Sequence, residues 1–199
     1  MRRCSGLLLT CFAAVTRPLA AQWSVAVEVG SAAFTGSSTD TSTMHSSASL
    51  RPYHATTLLV RLERQWGRAG LGVGVLYGSP GVAVETADIV ALEKGVLTVR
   101  EIAPELAVLL AHSTSGVALR AHAGAIIDFW SPKGAGRRTR AGAQAGLSLA
   151  CPLGSRVSGL VRAGVALMGS VFEEGEQPSG FALRPTWRRS LAGGVRWRL

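Results

Sequence analysis

Cysteine, lysine and aromatic side chains are all scarce in this 199-residue chain, and each scarcity removes a class of protein. Cysteine stands only at positions 4, 11 and 151. The first two fall in an N-terminal leader, which leaves Cys151 alone. An internal disulfide, a thiolate metal cluster and the small stapled scaffolds of exported proteins are therefore excluded. Cys151 is expected to sit as a small hydrophobe beside a tight turn. Lysine occurs only at 94 and 133, so arginines scattered along the chain carry most of the net charge of +9. They are not gathered on one helix face, which argues against a nucleic-acid partner. No apolar run approaches the ~20 residues that a helical membrane span needs. The 24 glycines are spread throughout and work against long helices.

Residues 1–21 read as a secretory leader rather than as part of the fold. Arg2 and Arg3 form a basic start, Leu7 to Val15 an apolar core, and Leu19-Ala20-Ala21 a small-residue cleavage site. A lipoprotein reading would use Cys11, but Thr10 occupies the position where a smaller residue is wanted. Cleavage near Ala21 leaves 22–199 as one domain, and removal of Arg2, Arg3 and Arg17 lowers the net charge from +9 to +6.

What the mature part has in quantity is alternation. Apolar and polar residues alternate with period two over 22–35, 56–67, 70–78, 96–111, 116–130, 140–151, 157–172 and 188–199, predicting eight strands. Strand one, for example, sets Trp23, Val25, Val27 and Val29 against Ser24, Ala26, Glu28 and Gly30. Connections alternate too. Arg68-Ala69, His112–Ser115 and Pro152–Arg156 are tight turns, whereas 36–55, 79–95, 131–139 and 173–187 are longer and polar or Gly/Pro-bearing. Pro104 interrupts the fourth strand and predicts a bulge or a split there.

Alternation does not say which face meets solvent; a soluble ligand-binding barrel would turn the apolar face inward. The opposite arrangement is favoured by the polar faces, which combine small residues with charges of both signs, as a narrow interior requires. It is also favoured by where the few aromatics fall. Trp23, Trp66 and Trp197 lie at one set of strand ends and Tyr77, Phe129 and Trp187 at the other, as two interfacial girdles would. The expectation is an all-β, eight-stranded antiparallel up-and-down transmembrane β-barrel, with short turns facing the periplasm.

In this pattern 22–199 resembles the small eight-stranded outer-membrane proteins, the OmpA-like transmembrane domain and the OmpX/OmpW-type barrels. The terminal Val195-Arg196-Trp197-Arg198-Leu199 looks like the signal by which outer-membrane assembly machinery recognises its clients, with Leu199 where family members most often have Phe. The resemblance implies bacterial outer-membrane localisation, paired periplasmic termini and four surface loops. It implies no shared activity.

The inward faces are expected to carry Glu28, Arg61, Glu63, Glu101, Glu105, Arg120, His122, Asp128, Arg140, Arg162, Arg196 and Arg198. Two readings are open: a structural salt-bridge network filling the lumen, or a selective pore or proton relay. A barrel of eight strands encloses little beyond its own side chains, which favours the first. His122 and Asp128 lie on one strand face about 20 Å apart and cannot meet directly; His122 is expected to join Arg120 and a neighbouring carboxylate. His112-Ser113-Thr114 sits at a short turn and His45-Ser46-Ser47 in a long loop, so no nucleophile and base share a fixed frame. The expectation is a protein without catalytic residues, metal or cofactor, with a role in envelope structure or surface contact. A narrow pore or carrier, a lipid A-modifying enzyme and a soluble periplasmic ligand-binding barrel are the alternatives.

The expected partners are outer-membrane lipid, lipopolysaccharide and the assembly machinery. Lys133, Arg137, Arg138 and Arg140 form a basic stretch that would bind lipopolysaccharide phosphates, since arginine matches phosphate bidentately. Loop 36–55 is rich in Ser and Thr, and Glu173, Glu174 and Glu176 lack the spacing of a calcium loop. Gly72-Val73-Gly74 has no helix after it and reads as strand, not as a phosphate loop.

Overall fold

Alternation becomes architecture because each strand has two chemically different faces and only closure can keep both satisfied. The computed structural model describes residues 22–40, 49–85, 90–134, 136–173 and 181–199. The leader 1–21 and the His45-Ser46-Ser47 group lie outside the described residues. The strands are β1 (Gln22–Asp40), β2 (Ser49–Tyr53), β3 (Ala55–Trp66), β4 (Ala69–Gly78), β5 (Gly81–Glu85), β6 (Val90–Glu93), β7 (Leu97–His112), β8 (Ala118–Pro132), β9 (Arg138–Pro152), β10 (Val157–Met168) and β11 (Phe181–Arg198).

Eight of them form a closed antiparallel barrel in the order β1-β3-β4-β7-β8-β9-β10-β11, and β11 returns to pair with β1. The closing seam runs from Ser24 opposite Arg198 to Asp40 opposite Phe181, with one irregularity between Gly36 and Ser38. Closure removes the exposed edges that an open sheet would present. The short turns all lie at one end. One is the two-residue Gly67-Arg68 turn, where Gly67 takes φ 56°, a left-handed value that favours glycine. The long connections share the other end.

That long-connection end departs from the sequence reading. β1 runs five residues beyond 35, β11 starts at Phe181 rather than 188, and β10 stops at Met168. Connections 36–55 and 79–95 contain β2, β5 and β6, which continue the sheet from β1 through β2 and β5 to β6. Polar residues occupy much of β1 there, so the hydropathy contrast that marks a strand lower in the barrel fades although the ladder continues.

Pro104 neither bulges nor splits its strand. It stands opposite Val73 of β4 and faces outward. Toward β8 the rungs at Ala103 and Pro104 are absent, yet Ile102 opposite Ile127 and Glu105 opposite Gly124 keep one register across the gap. The missing proline donor costs rungs, not register. The bulge in β7 lies between Leu109 and Ala111.

The barrel is inverted relative to a soluble one. On β4, Leu71, Val73, Val75 and Tyr77 are exposed, while Gly70, Gly72, Gly74, Leu76 and Gly78 turn inward and are buried. Cys151 follows the outward parity of β9 and is exposed rather than packed.

Candidate functional site

The lumen gathers most of the chain's chemistry. Inward positions on successive strands stack two unlike layers. In the half toward the short turns, Glu28 of β1, Arg61 and Glu63 of β3, Glu105 of β7, Arg120 and His122 of β8 and Arg162 of β10 are all buried. Glu105 is the hub. It pairs with Arg61 Nε at 2.9 Å, accepts from Arg162 Nη1 at 3.2 Å and also accepts from Arg162 Nη2. Gln144 Nε2 adds a bond at 3.4 Å. Arg61 Nη1 donates to Glu28 Oε1 at 2.8 Å, and Arg120 donates to Glu63 and Gln65. Buried charges persist when they are paired and hydrogen-bonded in this way.

His122 joins this layer through Arg162 and Glu105 rather than through Arg120. Its Nδ1 is 2.6 Å from Arg162 Nη2 and 3.9 Å from Glu105. A guanidinium only donates, so Nδ1 serves as acceptor and the ring hydrogen belongs on Nε2. The ring fits because residue 146 is glycine: a Cβ there would stand 2.5 Å from His122 Cε1 and 2.3 Å from the Ala163 carbonyl.

Nearer the long connections, Glu101 of β7 and Asp128 of β8 are cross-strand partners. Both face Arg188 of β11, which pairs with Glu101 and lies 4.0 Å from Asp128. Arg188 has the same parity as Arg196 and, as the first residue of the predicted strand 188–199, was legible by that rule. Above this trio the lumen turns apolar. Phe34 and Trp130 meet edge to face with centroids 5.9 Å apart, packed with Val99, Ile126, Met168 and Val171. This plug was not anticipated, although Phe34 shares the parity of Glu28 and Trp130 that of Asp128.

Little space remains inside. One cavity of about 10 Å³ lies among Arg61, Glu105, Arg120 and His122, and one of about 40 Å³ lies between the two charged layers, lined by Glu28, Glu101 and Arg188 among others. Spaces of this size hold one or a few waters. Among the described residues, no three His, Cys, Asp or Glu side chains form a metal-binding group.

The outward face carries the six predicted aromatics, all exposed. Trp66 stands opposite Ala69 at the first short turn, and Trp197 opposite Val157, the first residue of β10. The Arg64 guanidinium lies 5.4 Å from the Trp23 ring and 5.0 Å from the Trp66 ring. At the far end Tyr77 and Phe129 flank the exposed Arg100 on neighbouring strands, and Trp187 lies two residues from the exposed Arg189. Between these two levels the outward positions of β3, β4 and β7 carry no charge, only Leu58, Val60, Leu62, Leu71, Val73, Val75, Ile102, Pro104, Leu106 and Val108.

The basic stretch divides. Lys133 and Arg137 are exposed, but Arg138 and Arg140 belong to β9. Arg138 is buried and donates to the Val171 carbonyl at 2.9 Å, and Arg140 lies 3.3 Å from Glu173. Inward parity therefore draws Arg138 away from the surface role expected of it, and keeps Arg140 on the inner face where the alternation also put it. Ser113 serves its turn, accepting from Val117 N at 3.1 Å. At the C-terminus, Val195 is half-buried and Trp197 and Leu199 are exposed, and Leu199 N donates to Trp23 O at 2.9 Å, fastening the last strand to the first.

No protein-family model matches the chain, and no curated protein matches it in sequence. In fold it is similar to the outer membrane protein OprG from Pseudomonas aeruginosa (TM-score 0.61, 10% identity, covering 89% of this chain and 95% of that one). It is likewise similar to Neisserial surface protein A (TM-score 0.57, 10% identity, covering 89% and 97%). The fold is thus that of the small eight-stranded barrels solved from outer membranes.

Proposed function

We propose that this chain is an integral bacterial outer-membrane protein whose barrel is a closed structural body, without catalytic residues, and whose role is envelope support or contact at the cell surface. The observation that carries this reading is the inversion: an apolar outer wall, free of charge on β3, β4 and β7, between two aromatic levels, around a lumen filled by ion pairs and an apolar plug. Soluble proteins rarely expose a contiguous apolar surface of such extent. From Trp187 to Trp197 the strand covers ten residues, about 34 Å along its axis and roughly 26 Å of height at a 40° tilt, the depth of an outer-membrane hydrocarbon band. In this reading Trp23, Trp66 and Trp197 lie at the periplasmic interface and Tyr77, Phe129 and Trp187 at the outer one. The leader 1–21 directs export, and Val195, Trp197 and Leu199 engage the assembly machinery.

Lipopolysaccharide is the partner best supported at the outer interface. Arg100 and Arg189 point outward beside aromatic rings, and Lys133 and Arg137 are exposed above them. Guanidinium groups at this level meet phosphates with the fork geometry arginine favours.

Fractionation with surface proteolysis tests the placement. Heat-modifiable migration of a membrane-bound species, with cleavage confined to the long connections, is the expected result; a detergent-free soluble monomer sinks it. Planar-bilayer recording is expected to give no stable conductance, and a defined open channel would overturn the closed lumen.

A further inference from the structure

At the short-turn mouth the barrel opens into a vestibule of about 370 Å³, within the range of small-molecule sites. Arg120, Arg196, Arg198, His112, Gln22 and Gln65 contribute its polar lining, and no carboxylate does. The half of the lumen behind it holds four guanidiniums, Arg61, Arg120, Arg162 and Arg196, against three carboxylates, Glu28, Glu63 and Glu105. Those three acids are committed to the first three arginines. Arg196 is left over: it makes no ion pair or side-chain hydrogen bond among the described residues, and its Nε is buried without a partner. The Nε of Arg120, a residue only 5% exposed, is also unpartnered. The surplus acid of the lumen, in the Glu101–Asp128–Arg188 trio, lies beyond the Arg61–Glu105 layer and cannot serve. The one acid that acts on it, Glu63, is already bonded to Arg120, and a half-buried guanidinium with no acid of its own is unfavourable, so the missing partner is one that enters from outside.

We propose that the vestibule is a binding site for a small soluble molecule bearing a phosphate or carboxylate group, held by Arg196 with Arg120 and Arg198. The oxyanion takes the open N–H groups of Arg196, and Gln22, Gln65 and Ser158 supply neutral hydrogen bonds to the rest of the molecule. Arg198 already donates to the Ser155 carbonyl at 2.8 Å and adds mainly charge. The site stands on lumen geometry alone; that the ligand comes from the periplasm rests on the membrane reading above.

Calorimetric titration of the full barrel, folded in zwitterionic detergent at low chloride, tests it with two soluble probes, inorganic phosphate and citrate, and with dispersed short-chain phosphatidylglycerol. Saturable binding of phosphate or citrate is expected, weakened about tenfold or more by Arg196→Gln, as loss of a charge-assisted contact implies. Arg51→Gln, at the opposite end of the protein beside Glu85, is expected to leave binding unchanged. Should Arg196→Gln fail to fold, as judged by heat-modifiability, Arg198→Gln is expected to weaken binding by a smaller factor in a folded barrel. Absence of saturable binding, equal loss in the Arg51 variant, indifference of a folded Arg196 variant, or binding of the lipid alone would each overturn the proposal. None of these outcomes depends on whether the protein resides in the outer membrane.

Discussion

The two halves of the lumen fill the same cylinder with opposite chemistry. Toward the short turns, wall glycines such as Gly70, Gly72 and Gly146 leave room for long charged side chains, and a single acid, Glu105, holds two arginines and touches His122. Toward the long connections, Phe34 and Trp130 occupy the axis with aliphatic neighbours, and Val171 from the connection after β10 joins them. The charged half consists of strand-borne groups whose positions are set by the ladder. The apolar half draws partly on connections that can settle. The contrast suggests that the first half is intolerant of losing one partner, whereas the second absorbs part of a loss by collapse.

Removing Glu105 is the sharpest way to break the comparison. Glu105→Ala leaves Arg61 and Arg162 facing each other without their shared acid, and a loss approaching 5 kcal/mol is expected in reversible denaturant unfolding from lipid or detergent. Trp130→Ala opens a void in the apolar half; a smaller loss of about 3 kcal/mol is expected in the same measurement, because Val171 and its neighbours can move in. Equal losses would show the two halves to be equally rigid. Gly146→Ala presses on the His122 ring and the Ala163 carbonyl, with about 2 kcal/mol expected; adding His122→Ala should return part of that, which a double-mutant cycle would register. The smallest effect is expected above the barrel. Arg51 and Glu85 are 3.0 Å apart and partly open to solvent, with Glu85 about half exposed, so Arg51→Gln should cost about 1 kcal/mol, while the Glu105 deficit persists in high salt.

Much of this was readable in the chain. Parity alone assigned Glu28, Arg61, Glu63, Glu101, Glu105, Arg120, His122, Asp128 and Arg162 to the inner face, because a strand turns alternate residues to opposite sides whatever its partners are. The same rule carried to Arg188 and Trp130 would have found the upper trio and the plug. Both stand at the very end of a predicted strand, 188–199 and 116–130, where alternation has the fewest neighbours to support it. Arg138 shows the reverse error: charge suggested an exposed loop, whereas its position two residues before Arg140 on β9 turns it inward.

Which arginine meets which acid was a different kind of question. Arg61 reaches Glu105 and Arg162 reaches His122 across the lumen, between strands that are not neighbours. Such contacts depend on how far the ladders stagger before β11 closes on β1. The sequence by itself determined the eight barrel strands, the sorting of short and long connections and the two faces, all properties of local spacing. Only the closed tertiary structure decided the pairing, the position of the apolar plug and the unpaired Arg196 at the mouth, because each is set by the sum of registers around the whole barrel.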